Sequence, residues 1–261
     1  MITSVLSEST IEETADVDLQ RKVGKGLMRM IWHDLLFMHW RVDAGQLRRH
    51  LPDSLTLDTF EGDAWIGVVP FRMSDVSLTG VPALPRLSKF PELNVRTYVV
   101  GPDGRSGVWF YSLDATNPIA VRGARWLYCL NYVDAKMGCR SDDPNDNDAW
   151  IRYHSSRTHR GQPAANLRVD YRPVGAAFEA EPETLEDWLT SRYSLFSASK
   201  SGQLFRGDIT HAPWQLRAAE AVTHENTMTD AIGVDLPATE PLLHFARTTK
   251  VRASAIRRVR L

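Results

Sequence analysis

Hydrophobic and polar positions alternate along much of this chain with a period of two, the spacing of a strand with one buried face. The clearest run is Leu93, Val95, Thr97 and Val99, alternating with Asn94, Arg96, Tyr98 and Val100. One face of that strand is partly polar, as expected where strands line a pocket or meet water. Gly101-Pro102-Asp103-Gly104 joins strands predicted over 93–100 and 106–113, and Glu61-Gly62-Asp63 joins 55–60 to 64–72, two hairpin signals. Further strands are predicted over 150–155, 167–172, 195–199, 204–211, 214–221 and 243–251. Helices are fewer. Asp43 suits the cap of a helix over 44–51 that Pro52 ends, and Asn117-Pro118 suits the start of one over 119–129. Thr184 and Asp187 resemble a capping box for 185–191. Many strands, few helices and no β-α-β rhythm predict a mainly β (α+β) fold: one curved or closed antiparallel sheet with a few peripheral helices.

The ends break the pattern. Residues 3–20 are polar and acidic, so 1–26 reads as a mobile arm. Residues 27–255 read as a single domain, and 256–261 as a basic tail with Arg257, Arg258 and Arg260. A chain of 261 residues buries about three quarters of its unfolded surface, enough to fold without a metal or disulfide. The formal net charge of −1 argues against general nucleic-acid binding. Cys129 and Cys139 fit no zinc or redox spacing and read as reduced thiols. The longest apolar stretch, 27–40, is broken by Arg29, His33 and Asp34, short of the roughly 18 residues a membrane helix needs. With no leader visible, the expectation is a cytoplasmic protein that meets neither membrane nor nucleic acid.

Motifs of the commoner chemistries are missing: no G-x-S-x-G elbow, Walker loop, G-x-G-x-x-G fingerprint or H-E-x-x-H. The acidic stretch from Asp142 to Asp148 lacks the glycine and glutamate of a calcium loop and reads as a solvated turn. No cofactor is expected. The basic residues are lopsided, six lysines against twenty-five arginines. Arginine grips carboxylates with two parallel N–H bonds, whereas lysine is the residue of imine catalysis. An arginine-rich genome also explains the bias.

Several stretches carry a resemblance. His39-Trp40-Arg41-Val42-Asp43 runs into Leu51-Pro52, and Phe110-Tyr111-Ser112-Leu113-Asp114-Ala115 leads to Gly123-Ala124-Arg125. Later come Leu189-Thr190-x-Arg192-Tyr193, His211-x-Pro213-Trp214 and the run Pro241 to Arg247. Together they resemble the bacterial YqjF-like family of uncharacterised proteins across roughly residues 27–255. That family is similar in fold to acetoacetate decarboxylase, which implies a barrel-like sheet around a pocket. The decarboxylase forms an imine between a lysine and a β-keto acid, helped by an arginine and glutamates. By this resemblance Arg41 corresponds to the pocket arginine and Glu92 to the pocket glutamate. The lysine position falls at about Asn131, eight residues after Gly123, and asparagine forms no imine. The nearest lysine is Lys136.

Each candidate has two readings. Arg41 either binds a substrate carboxylate or forms an internal ion pair. Glu92 is a general acid or base if its apolar neighbours raise its pKa, or else a surface carboxylate or the partner of Arg96 on the same strand face. Asn131 orients a ligand carbonyl or ends a helix. His211 and His244 titrate near a ligand or are satisfied structural histidines, and His39 shares that ambiguity. Three converging histidines would bind a metal, but no spacing shows convergence, so no metal is expected. Tyr128 and Tyr132 read as packing aromatics. The expected function is a pocket for a small organic acid or keto compound in a lyase-like or acid–base enzyme without the imine lysine. Glu92 and Asn131 would be catalytic, and Arg41, Arg96, His211 and His244 substrate-binding. The alternative is a non-catalytic small-molecule binding protein; a filled, partner-binding protein is a third reading. A small molecule is the expected partner, and a homo-oligomer is left open.

Overall fold

The computed structural model describes residues 26–83, 88–116 and 129–260. The arm through residue 25 and the helix predicted over 119–129, apart from Cys129, lie outside the described residues. Thirteen strands form one sheet. In chain order they are β1 (Met28–Val42), β2 (Thr56–Leu57), β3 (Ala64–Leu78), β4 (Phe90–Val100), β5 (Ser106–Ala115), β6 (Tyr132–Ser141) and β7 (Ile151–Arg157). Then follow β8 (Asn166–Phe178), β9 (Ser194–Ala198), β10 (Leu204–Thr210), β11 (Leu216–Asn226), β12 (Leu242–Ala253) and β13 (Arg257–Arg258). Among the described residues two short α-helices stand outside it. In α1 (Ala44–Arg48) the Asp43 carboxylate accepts from the Gln46 N–H at 3.0 Å; in α2 (Leu185–Thr190) the Thr184 hydroxyl accepts from the Asp187 N–H. Among the described residues no helix is long and apolar enough to cross a membrane.

Most predicted strands are present and several run longer. Three elements differ from the sequence reading. Of the strand predicted over 55–60 only Thr56–Leu57 forms, and it pairs with β4 rather than making a hairpin with β3. The broken apolar stretch 27–40 is one strand, β1, because Asp34 sits in a bulge with φ 53°. Arg72 and Arg247 each donate to its carboxylate at 2.6 Å. The bulge shifts the side-chain alternation, so Met30 and Trp32 before it face the same cavity as Leu35 and Phe37 after it. Residues 132–141, where the sequence reading places no element, are a strand: Val133 and Ala135 are buried and alternate with Asp134 and the exposed Lys136.

The sheet forks and rejoins. β12, β1, β3, β4 and β5 pair in that order as a common wall. The outer edge of β5 pairs in parallel with β6 at Leu113–Ala115 and with β9 at Val108 and Trp109. The outer edge of β12 likewise pairs with β11 at His244 to Ala246 and with β10 at Arg252 and Ala253. One ring therefore closes through β6, β7, β8 and β11, and a second through β9 and β10. The first is filled by side chains such as Leu36, Met38, Val95, Tyr153, Tyr171 and Phe245. Because alternate wall residues face alternate rings, both faces of β1, β3 and β4 are buried. A buried ion pair braces the fork: Arg157 on β7 donates to Asp114 on β5 at 2.9 and 2.8 Å, with both side chains nearly inaccessible.

Close backbone approach at the β5–β9 branch needs Gly107. A Cβ there would lie 2.6 Å from the Ser194 carbonyl oxygen and 2.9 Å from the Phe196 ring. Gly107→Ala is therefore expected to cost about 1–3 kcal/mol in urea denaturation. An unchanged midpoint would mean that the branch yields.

Candidate functional site

The second ring encloses a cavity of about 560 Å³. Its wall is mainly hydrocarbon, from Met30, Phe37, Val69, Phe71 and Met73 among others. β4 contributes the polar part. Glu92, Asn94 and Arg96 occupy successive inward positions on one strand face, while Leu93 and Val95 enter the packed ring. Tyr132, Thr190, Arg192 and Ser194 also line the space.

Glu92 is 2% exposed, and the Tyr132 hydroxyl donates to its Oε2 at 3.0 Å. Burial pushes its pKa from 4.5 to about 8; the Tyr132 hydrogen bond opposes the rise and the nearby Asp114 adds to it. Glu92 is thus mostly protonated at neutral pH. It makes no ion pair with Arg96, whose Nη2 donates to the Leu189 carbonyl at 3.1 Å. The Asn94 Oδ1, Arg96 Nε, Arg192 Nη2 and Trp32 Nε1 are buried without a hydrogen-bond partner, and all four residues line the cavity.

The other expected site residues lie elsewhere. Arg41 is largely exposed on β1, where its Nε meets the Asp63 carboxylate at 3.1 Å and its guanidinium lies over Trp65. Its strand partner is Trp65 and that of Glu92 is Phe71, six residues along β3 or about 20 Å. The expectation that Arg41 meets Glu92 is corrected by that distance along the wall. Asn131 is exposed and donates to the Tyr111 carbonyl at 2.6 Å. Leu130 and Tyr132 line the cavity on either side of it, and Asn131 does not.

The histidines do not converge. His39 and His244 neighbour each other on β1 and β12, whereas His211 packs against Trp214 and Tyr193 at ring-centroid distances of 4.4 and 4.9 Å. None of the three lines the cavity. His211 Nδ1 donates to the Ala212 carbonyl at 2.6 Å, and burial pushes its pKa down to about 4. Burial also lowers the pKa values of His39 and His244. The Tyr98 hydroxyl donates to the Leu189 carbonyl and so accepts from His39 Nε2 at 2.7 Å. These are packed, neutral histidines. Among the described residues no group of three or more His, Cys, Asp or Glu can hold a metal ion. Sequence reasoning missed Arg192 and Tyr132 as cavity groups, although Arg192 stood in a quoted motif and Tyr132 beside the position counted for the lysine.

A mainly β chain whose one large sheet closes around such a space has the acetoacetate-decarboxylase-like fold. An acetoacetate decarboxylase-like enzyme from Sphingomonas wittichii RW1 matches 90% of this chain and 93% of its own at a TM-score of 0.61 and 15% identity. Acetoacetate decarboxylase from Legionella pneumophila matches 90% of this chain and 88% of its own at 0.59 and 14%. The enduracididine biosynthesis enzyme MppR complexed with pyruvate matches 88% and 90% at 0.61 and 12%. Identities this low show the fold alone. The chain belongs to the DUF2071 family, described as an uncharacterized conserved protein, which matches residues 29–250. It is 42% identical over 228 residues to the uncharacterized protein YqjF of Bacillus subtilis (strain 168), covering 87% of this chain and 90% of that protein.

Proposed function

We propose that the protein is an enzyme that binds a small organic acid or keto compound in this cavity and acts on it by acid–base chemistry through Glu92, without an imine. The observation that carries this reading is a carboxyl group on the cavity wall whose pKa is pushed up to about 8. A general acid works best with a pKa near the working pH. Tyr132 fixes one oxygen of Glu92, and Asn94 offers the next polar contact along the same face. The similar MppR structure holds pyruvate, which is in keeping with a keto ligand. The described lysines, Lys89, Lys136, Lys200 and Lys250, do not line the cavity.

The test is turnover of a panel of keto acids and esters. Glu92→Gln is expected to lower the rate on any accepted compound by about 100-fold or more. The wild-type rate should fall as pH rises through about 8, where Glu92 loses its proton. Borohydride with acetoacetate should leave the protein mass unchanged. A covalent adduct on Lys89 or Lys136 would restore imine chemistry, and binding without turnover would make this a binding protein.

A further inference from the structure

The two guanidiniums on the cavity wall are built on one helix end. The last carbonyls of α2 have no partner inside the helix. Arg192 Nε donates to the Trp188 carbonyl at 2.6 Å, and Arg96 Nη2 to that of Leu189 at 3.1 Å. Both guanidiniums also pack on the Tyr98 ring, their Cζ atoms 5.1 and 5.8 Å from its centroid. Two residues far apart in sequence thereby meet the same helix end and the same ring.

The charges do not balance. Arg192, with a side chain only 5% exposed, pairs with Asp58 at 2.7 Å. Arg96 has no ion pair among the described residues, and Glu92 on the same strand face makes none with it. One guanidinium nitrogen on each, Arg96 Nε and Arg192 Nη2, is buried without a hydrogen-bond partner. Arg96, half-buried in a mainly apolar wall, has no anion beside it among the described residues, so an incoming carboxylate would be drawn to it. The remaining wall is mainly hydrocarbon, with Met30, Phe37, Phe71 and Met73 around a space in the size range of sites for drug-sized ligands. A short keto acid would fill little of it.

We infer that the cavity takes an amphipathic monocarboxylate, its carboxylate held by Arg96 and Arg192 and its hydrocarbon body, of about seven carbons or more, along the apolar wall. Arg192 is thereby assigned a ligand-binding role, and anion binding passes to it and Arg96 from Arg41. This inference rests on the reading of the cavity as an organic-acid site.

Calorimetry with octanoate, butyrate and octanol tests it. Octanoate is expected to bind the wild type at least 10-fold more tightly than either of the others. Arg96→Gln and Arg192→Gln should each weaken octanoate at least 10-fold and leave octanol unchanged. Arg96→Gln keeps the test decisive if loss of the Asp58 contact unfolds the Arg192 variant. Octanol binding as tightly as octanoate, or undiminished octanoate binding to Arg96→Gln, would overturn the anion seat. Butyrate matching octanoate would overturn the hydrocarbon body. No octanoate binding, alongside Glu92-dependent turnover of a short keto acid, would sink this inference and leave the acid–base reading standing. Arg96-dependent octanoate binding with turnover indifferent to Glu92 would do the reverse.

Discussion

Arg157→Met should lower the stability of the protein by about 3–5 kcal/mol, the usual cost of removing one partner from a buried ion pair. In the native protein the guanidinium grips both oxygens of Asp114 and also donates to the Ser112 hydroxyl at 2.9 Å. Burial pushes the Asp114 pKa up, while hydrogen bonds and charge from Arg157 pull it back. Without the arginine, burial is opposed only by the Ser112 hydroxyl and the nearby His159, and the carboxyl group would sit between β5 and β7 without its guanidinium. For a chain of this size the loss corresponds to a fall in Tm of roughly 10 °C or more. Thermal unfolding of Arg157→Met checks it. Because a buried pair can often be exchanged for hydrocarbon at little net cost, Asp114→Leu combined with Arg157→Met should recover part of the loss. A single variant as stable as the wild type would show that the fork needs no brace.

The second large effect concerns pH. Glu92 has a folded pKa of about 8 against 4.5 for the ordinary carboxyl. Between those values the unfolded chain has released this proton and the folded chain still holds it. Folding must then take up a proton that becomes scarcer as pH rises. The Glu92 contribution is fully present below pH 4.5, declines on the order of 1.4 kcal/mol per pH unit across the window, and levels off above about 8. Urea denaturation of wild type and Glu92→Gln from pH 5 to 8.5 should therefore diverge. The wild type should lose stability with rising pH more steeply than the variant. Parallel curves would mean that Glu92 is ionised in the folded protein, which would also remove the basis for its role as an acid.

The polar face of β4 was legible because alternation is local: it places Glu92, Asn94 and Arg96 on one side without knowledge of the rest of the fold. Alternation does not say where along a strand the cavity lies. Arg41 is therefore a pocket residue by resemblance and a surface residue in space, paired with a carboxylate two positions from its strand partner. Asn131 shows the same limit of local counting. The count from Gly123 reached the right neighbourhood, but a shift of one residue exchanges the faces of a strand, and Tyr132 is the side chain that reaches Glu92. Arg192 stood in a stretch that carries the resemblance, but nothing local aimed it at the cavity. Its position depends on Asp58, 134 residues away, and on the packing of α2 against Tyr98. The bulge at Asp34 was equally hidden, since positive φ at a non-glycine residue is stabilised here by arginines from β3 and β12.

The wall shared by the two rings gives adjacent residues separate evolutionary accounts. Leu36 belongs to the packed ring and Phe37 to the cavity, as do Val95 and Asn94. Changes at the second member of each pair can alter the shape and polarity of the space while the first continues to supply packing. Ligand preference can then drift among relatives that keep this architecture, without each drift having to be rescued by a compensating change in the core. A comparison restricted to cavity-facing positions would sort such relatives by what they accept, whereas one over whole chains would sort them mainly by descent.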